Sequence, residues 1–191
     1  MTSRAQAEPW LSARALGSGV FQFLVTLKDA RADDGEGVVV GILGSYHWPS
    51  VGYILHTGIE IPFESFITRG SMLTVSYADH TGKGYATEAL RAWIPAFFAH
   101  MPPANPEEAT GFDYIEAKTD VENFGSQKVL EKSGFMLCEV LENEFEHATL
   151  GWRSTKVFRL ARPGGKTLEE MGLVAREDGD GDERGFVPPI Q

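Results

Sequence analysis

An apolar stripe that follows a glycine-containing loop is the strongest constraint on the fold of this chain. Its members recur at three- and four-residue spacing and are Ala86, Ala89, Leu90, Trp93, Ile94, Phe97 and Phe98. This spacing predicts one apolar face on a helix from about Gly84 to His100. Pro95 lies inside the stripe and is predicted to kink the last turns, because proline lacks a backbone donor and crowds the preceding turn.

Apolar and β-branched runs on both sides of this helix predict a sheet. Those ahead of it cover residues 20–28, 38–46, 51–56 and 71–77, and those after it cover 112–118, 135–141 and 155–160. The polar stretch 29–37 predicts that the first two runs form an antiparallel hairpin. Asn123 is the predicted N-cap of a second helix that runs to Lys132, where Gly134 supplies the stop. A mixed α/β domain is therefore predicted.

The length of 191 residues suits one domain with a tail. Residues 1–162 are assigned to the domain, and the acidic, glycine-rich residues 163–191 are predicted to form a disordered tail. No apolar run approaches the ~20 residues of a membrane span, and the first eight residues lack the features of a secretory signal. The lone cysteine, Cys138, cannot form an internal disulfide and is predicted to be a buried structural thiol. A cytoplasmic protein is expected.

The acidic composition limits the partners of the chain. The formal net charge of −10 argues against nucleic acid, whose binding draws mainly on Lys and Arg contacts to phosphate. An acidic surface serves solubility alone or favours cationic substrates through long-range steering. No nucleic-acid partner is therefore expected, and neither a membrane nor a metal partner is expected for this chain.

The loop ahead of the helix consists of Gly82, Lys83 and Gly84. Backbone N–H groups at a helix start bind phosphate, and glycine lets the anion approach without a Cβ in the way. A Walker-type phosphate loop does not fit, because it requires glycine where Tyr77 lies and Ser or Thr where Gly84 lies. A dinucleotide-binding fingerprint does not fit either, because it requires glycine in place of Thr87. Taken alone, the loop fits an anion site or an ordinary glycine turn.

Two separated motifs together resemble the Gcn5-related N-acetyltransferases (GNAT). Residues 82–90 are similar to the acetyl-coenzyme A loop and helix of that family, and residues 123–135 are similar to its second motif. The second motif has the form typical of the branch that acetylates ribosomal-protein amino termini and related amines. The resemblance covers about residues 5–163 and implies the acyl-CoA N-acyltransferase fold. This is an α/β (α+β) fold with a central, mixed, mostly antiparallel sheet flanked by helices, and with two parallel strands at the cofactor cleft.

The resemblance also implies roles for residues of both motifs. Acetyl-coenzyme A is the implied co-substrate, and its pyrophosphate would bind the loop residues Gly82, Lys83, Gly84, Tyr85, Ala86 and Thr87. The pantetheine arm would lie in the gap between splayed strands and face Asn123 and Ser126. Asn123 could instead serve as a helix cap alone, and both roles can coexist. Lys83 could be a solvated charge whose backbone amide alone binds.

The implied reaction is direct attack of a primary amine on the thioester, with no acyl-enzyme. An α-amino group, with a pKa of about 7.7 to 8.0, needs only a weak base. A lysine side chain has a pKa of about 10.4, so removing its proton costs roughly 4 kcal/mol more. Glu116 and His80 are the candidate catalytic bases. Many family members use a tyrosine to protonate the leaving thiolate where this chain has Leu130. The expected acceptor is a protein N-terminal α-amine or a small-molecule amine.

The chain departs from the family pattern at two places. Ahead of the first hairpin, where the family has a strand and two helices, only residues 5–15 resemble the end of the second helix. An atypical insertion over about 57–79 separates the loop from residues 51–56, which resemble the strand ahead of it. Pairing of 71–77 in the sheet would make cofactor binding plausible. The alternatives to an active N-acetyltransferase, monomeric or homodimeric, are a catalytically inactive GNAT-like fragment and a module that binds coenzyme A or a protein.

Overall fold

A computed structural model of the protein describes residues 20–31, 37–45, 47–55, 75–76, 82–147 and 149–174. Within these ranges the elements, in chain order, are β1 (Phe21–Arg31), β2 (Gly37–Ser45), β3 (Gly52–Leu55), β4 (Val75–Ser76), α1 (Tyr85–His100), β5 (Tyr114–Asp120), α2 (Phe124–Lys132), β6 (Met136–His147) and β7 (Gly151–Ala161). Each predicted strand and both predicted helices have a counterpart among these elements. Of the strand predicted at 71–77 and the insertion predicted at about 57–79, only residues 75–76 lie within the described residues.

The strands form two sheets that touch at one point. The first has the order β1-β2-β3-β4, in which β1, β2 and β3 are antiparallel neighbours and β4 runs parallel to β3. The second has the order β5-β7-β6, and β7 is antiparallel to both neighbours. The two sheets meet at a parallel bridge between Ser50 and Glu116. There Val51 N–H donates to the Glu116 carbonyl at 2.7 Å, and Glu116 N–H donates to the Pro49 carbonyl at 3.0 Å.

Both helices bury apolar residues in one shared core. The buried face of α1 is the predicted stripe, with Ala86, Leu90, Trp93 and Phe97. The other contributors include Tyr53 and Leu55 from β3, Ile115 from β5, Leu130 from α2 and Phe158 from β7. Pro95 lies on the exposed side of α1, and the helix continues through it to His100. Water can reach that side and satisfy the carbonyl that loses its donor.

An aromatic cluster joins the start of β1 to the last turns of α1. The Phe21 ring stacks on His100, with centroids 4.6 Å apart, and lies 5.9 Å from Trp93. Trp48 lies 5.6 Å from Phe97 and 5.9 Å from His100. Such pairs add to the area that the rings bury. They attach the first sheet to α1 at the end opposite the glycine loop.

Arg162, directly after β7, holds the end of α1 and the connection that follows it. Its guanidinium donates to the carbonyls of Phe98, Met101, Pro102 and Phe112, at 2.9, 2.6, 2.9 and 2.9 Å. It also lies 4.8 Å above the Phe98 ring. The carbonyl of Phe98 would normally accept from the residue four positions on, which is Pro102 and has no N–H. Arg162 therefore supplies the donor that the sequence lacks there.

Residues 163–174 pack on the second sheet, which corrects the prediction of a disordered tail from 163 onward. Leu168 is buried, and the carbonyl of Leu173 accepts from Arg159 at 2.7 Å. Strand residues alternate between faces, so Arg159 and Glu116 lie opposite the face that buries Ile115 and Ala117. The Leu173 carbonyl adds a third acceptor to Arg159, beside Glu116 and Glu139. Residues 175–191 lie outside the described residues.

Two further sequence-based expectations concern burial and membrane crossing. The thiol of Cys138 is buried and donates to the Met136 carbonyl at 3.4 Å, which confirms the prediction of a structural cysteine. Burial raises the pKa of this thiol, so it stays protonated at neutral pH. Among the described residues, no helix has the length and apolar character that crossing a membrane requires.

Candidate functional site

The candidate site lies where two parallel strands separate. β3 and β5 are neighbours at the bridge between Ser50 and Glu116, and within the described ranges they form no pair beyond it. Beyond the bridge, β5 continues into the turn that begins α2, whereas the edge of β3 pairs with β4. Crevices at the carboxyl ends of neighbouring parallel strands are the usual ligand positions in open sheets. We call the space between the separating strands the wedge.

The glycine loop directly precedes α1. Gly82 and Gly84 have φ values of +77° and +86°, and a Cβ built on either would meet no atom of another described residue within 4 Å, chain neighbours aside. Gly84 is the N-cap, has no side-chain capping bond, and accepts from Glu88 N–H at 2.9 Å. The first N–H groups of a helix have no intrahelical partner and carry its positive dipole end. The loop therefore presents donors and positive potential to an incoming anion.

The predicted loop residues differ in what they can offer a ligand. Gly82, Lys83 and Gly84 are exposed, and Tyr85 and Thr87 are half-buried. The side chain of Ala86 is buried in the core, so this residue can offer only its backbone. A phosphate group fits this arrangement, because backbone amides at a helix start can make most of its contacts.

The second motif forms the turn from β5 into α2. The Asn123 side chain accepts from Ser126 N–H at 3.1 Å, which confirms the predicted N-cap. Its other predicted role, facing the cofactor arm, stays a prediction. Ser126 is fully buried at the start of α2. The turn thus presents a capped helix start beside the end of β5.

Sequence reasoning missed Gln127, which holds this turn in place. Its side-chain amide is buried and donates to the carbonyls of Asp120 and Val121, at 3.3 and 2.8 Å. Its oxygen accepts from the Lys156 ammonium at 2.9 Å. A glutamine inside a short helix gives no sequence signal that separates this role from an exposed polar side chain.

Of the two predicted catalytic bases, Glu116 and His80, only Glu116 lies within the described residues. Glu116 lies on β5, and its carboxylate accepts from Arg159 Nε at 2.9 Å. Arg159 is itself buried and also approaches Glu139, with 3.4 Å between nitrogen and oxygen. The Glu116 carboxylate is thus held in an ion-pair network on the sheet face that carries residues 163–174. His80 lies outside the described residues.

Other features of the described residues give no second site. Burial raises the pKa of the Tyr114 hydroxyl, and neighbouring Glu116 adds to the shift. No cluster of His, Cys, Asp or Glu within the described ranges is arranged to hold a metal ion. A largely apolar groove of about 510 Å³ lies between β1 and α1, with Phe23, Val25 and Leu27 on one side and Ala89 and Trp93 on the other.

Comparison with known proteins identifies the relatives of this arrangement. Residues 1–136 match the family model of the acetyltransferase (GNAT) domain. A protein described as a ribosomal-protein-serine acetyltransferase from Vibrio cholerae is 20% identical over 83% of this chain and 75% of its own, with a TM-score of 0.50. A GNAT-family acetyltransferase from Bacillus anthracis is 15% identical over 84% and 75%, with a TM-score of 0.50.

A third similar structure is spermidine N-acetyltransferase from Vibrio cholerae in complex with CoA and spermine. It is 15% identical over 85% of this chain and 78% of its own, with a TM-score of 0.52. At these identities the structural similarity establishes a shared fold, and the predicted fold class is confirmed. No curated protein sequence matches the chain.

Proposed function

Since the chain belongs to the GNAT acetyltransferase family, we propose that it transfers the acetyl group of acetyl-coenzyme A to a primary amine. The observation that carries this proposal is the glycine loop at the start of α1, a helix N-terminus preceded by two glycines with positive φ. This loop suits the pyrophosphate of the co-substrate, and we assign its amide-containing arm to the wedge.

The loop amides of residues 82–87 are the proposed pyrophosphate site. The two glycines with positive φ have open space around them, so the phosphate oxygens can reach the N–H groups directly. Lys83 is exposed and adds a positive charge or only its amide. Asn123 and Ser126 are the proposed neighbours of the arm, since they begin α2 on the opposite side of the wedge.

The proposed chemistry needs no covalent enzyme intermediate. The amine nitrogen attacks the thioester carbonyl carbon, so a C–N bond forms and the C–S bond breaks. The amine gives up a proton to a base or to water, and the thiolate of coenzyme A takes one. Leu130, at the position where many family members have a tyrosine, has a hydrocarbon side chain buried in the core, so that proton must come from another group or from water.

The choice of acceptor rests on how readily the amine loses its proton. The Glu116 carboxylate is engaged with Arg159, so within the described residues the predicted base is already part of an ion pair. An α-amino group is partly neutral at pH 7, so its deprotonation needs little help from the site. Deprotonating a lysine side chain costs roughly 4 kcal/mol more. We therefore favour a protein N-terminal α-amine or a weakly basic small-molecule amine.

A second candidate function is a catalytically inactive module that binds coenzyme A. One observation favours it: Leu130 lies where many family members have the tyrosine that protonates the leaving thiolate, and a leucine side chain has no such proton. An enzyme and a binding module share the loop and differ only in acetyl transfer, so measured turnover separates them.

Calorimetric titration with acetyl-coenzyme A tests the proposal, together with the variants Gly84→Glu and Gly164→Glu. Both glycines have positive φ, +86° and +75°, and open space around them, so the two changes introduce matched strain and charge. We expect saturable binding by the wild type and Gly164→Glu, and loss of binding in Gly84→Glu. Release of free coenzyme A thiol is then measured with peptide and polyamine acceptors. A folded wild type that does not bind acetyl-coenzyme A overturns the proposal.

A further inference from the structure

The edge of β3 that faces β5 is occupied by another part of the same chain. Two residues ahead of β3, Ser50 bridges Glu116 of β5. A few residues further on, where β5 has left, Ile54 pairs in parallel with Val75 and Leu55 with Ser76. Because β2 covers the opposite edge of β3, β4 has taken the position that β5 vacates.

β4 contacts both elements that border the wedge. It pairs with β3, and it lies against α2, which follows β5 directly. A paired strand lies about 4.8 Å from its neighbour. β4 therefore occupies the part of the wedge next to β3.

We propose that Val75 and Ser76 act as an internal competitor that must leave the edge of β3 before an extended, amide-containing ligand can pair there. This inference rests on the proposed function, in which the arm of coenzyme A enters the wedge. The arm and β4 would use the same backbone N–H and carbonyl groups of β3, so the two occupants exclude each other. β4 is only two residues long, so few hydrogen bonds hold it and a ligand can displace it.

The test replaces both β4 residues by proline. Val75→Pro combined with Ser76→Pro removes both backbone donors of β4 and disfavours its strand pairing. The matched control, Val75→Thr with Ser76→Thr, keeps both donors and uses a residue that favours strands. Two probes are titrated into the wild type and each variant: coenzyme A, and 3′-phosphoadenosine 5′-diphosphate, which carries the pyrophosphate without the arm.

We expect coenzyme A to bind the proline variant about tenfold more tightly than the wild type, a difference of 1.4 kcal/mol. The fragment without the arm should bind all three proteins equally, and the threonine control should match the wild type. Equal or weaker binding of coenzyme A by a proline variant that still binds the fragment overturns the inference and makes β4 a support for the arm. If neither probe binds any of the proteins, the proposed function itself fails and the inference with it.

Hydrogen exchange on the wild type gives a second readout that does not depend on how the variant folds. Coenzyme A should increase exchange at the amides of Val75 and Ser76, while the amides of Ile54 and Leu55 stay protected because a new partner replaces the old one. The fragment without the arm should change neither pair. Increased protection of Val75 and Ser76 by coenzyme A contradicts displacement.

Discussion

Replacing Arg162 with methionine is expected to lower the free energy of unfolding by about 3 kcal/mol. The change removes the donors to four carbonyls, those of Phe98, Met101, Pro102 and Phe112. The Pro102 carbonyl keeps a donor, because Phe112 N–H also bonds to it at 3.1 Å. The Phe98 carbonyl has no helical donor to fall back on, since the residue four positions on is proline.

The magnitude follows from the groups that lose their partners. A partly buried group left without a hydrogen bond costs about 1–3 kcal/mol, and two or three carbonyls are affected, some of which water can reach. The Arg162 side chain is 15% exposed, so solvent replaces only part of what it provides. For a domain of this size, about 3 kcal/mol corresponds to a fall in Tm of roughly 6–12 °C.

Thermal and urea unfolding of three variants test this reasoning. Arg162→Lys keeps the charge but lacks the planar guanidinium. We therefore expect it to lose some free energy of unfolding relative to the wild type, but less than Arg162→Met loses. Arg91→Met is the control, because Arg91 also donates to a helix-end carbonyl, that of Lys132, but from an exposed position. Its loss should be about 0.5 kcal/mol. A loss below 1 kcal/mol in Arg162→Met, or equal losses in Arg162→Met and Arg91→Met, would refute the assignment of Arg162 as the anchor of α1.

Three further predictions concern buried and capping groups. Cys138 should react with a thiol reagent at pH 8 only after unfolding, because burial protects the thiol and raises its pKa; fast reaction of the folded protein contradicts this. Asp120 accepts from Arg153, which lowers the pKa of Asp120 below its usual value, so the stability that it contributes is present above about pH 4 and is lost as pH falls further. Asp120→Asn should therefore flatten the acid limb of a plot of unfolding free energy against pH, and an unchanged limb would exclude the linkage. Asn123→Ala should cost about 1 kcal/mol of stability while Asn123→Asp keeps the cap, measured by urea unfolding; equal losses in the two variants argue against the cap.

The sequence was enough to predict those features that depend only on residues close together along the chain. The stripe from Ala86 to Phe98 identified α1 because helical periodicity is written within a single segment. The cap by Asn123 was predictable because its partner, Ser126, lies three residues away. The glycine loop was found for the same reason: its φ angles and its position ahead of a helix depend on adjacent residues.

Contacts between distant segments were beyond such reasoning. Nothing in the residues of β5 indicates that Glu116 pairs with Arg159, 43 positions away, or that Arg162 caps α1. The packing of residues 163–174 escaped prediction because an acidic, glycine-rich composition signals disorder, whereas one buried Leu168 and a carbonyl for Arg159 hold the segment on the sheet. The pairing of β4 with the edge of β3 was also beyond prediction. It depends on β5 pairing next to β3 only at the bridge between Ser50 and Glu116. Pairing between remote strands depends on which edges the folded chain brings together, and one-dimensional patterns carry no information about that meeting.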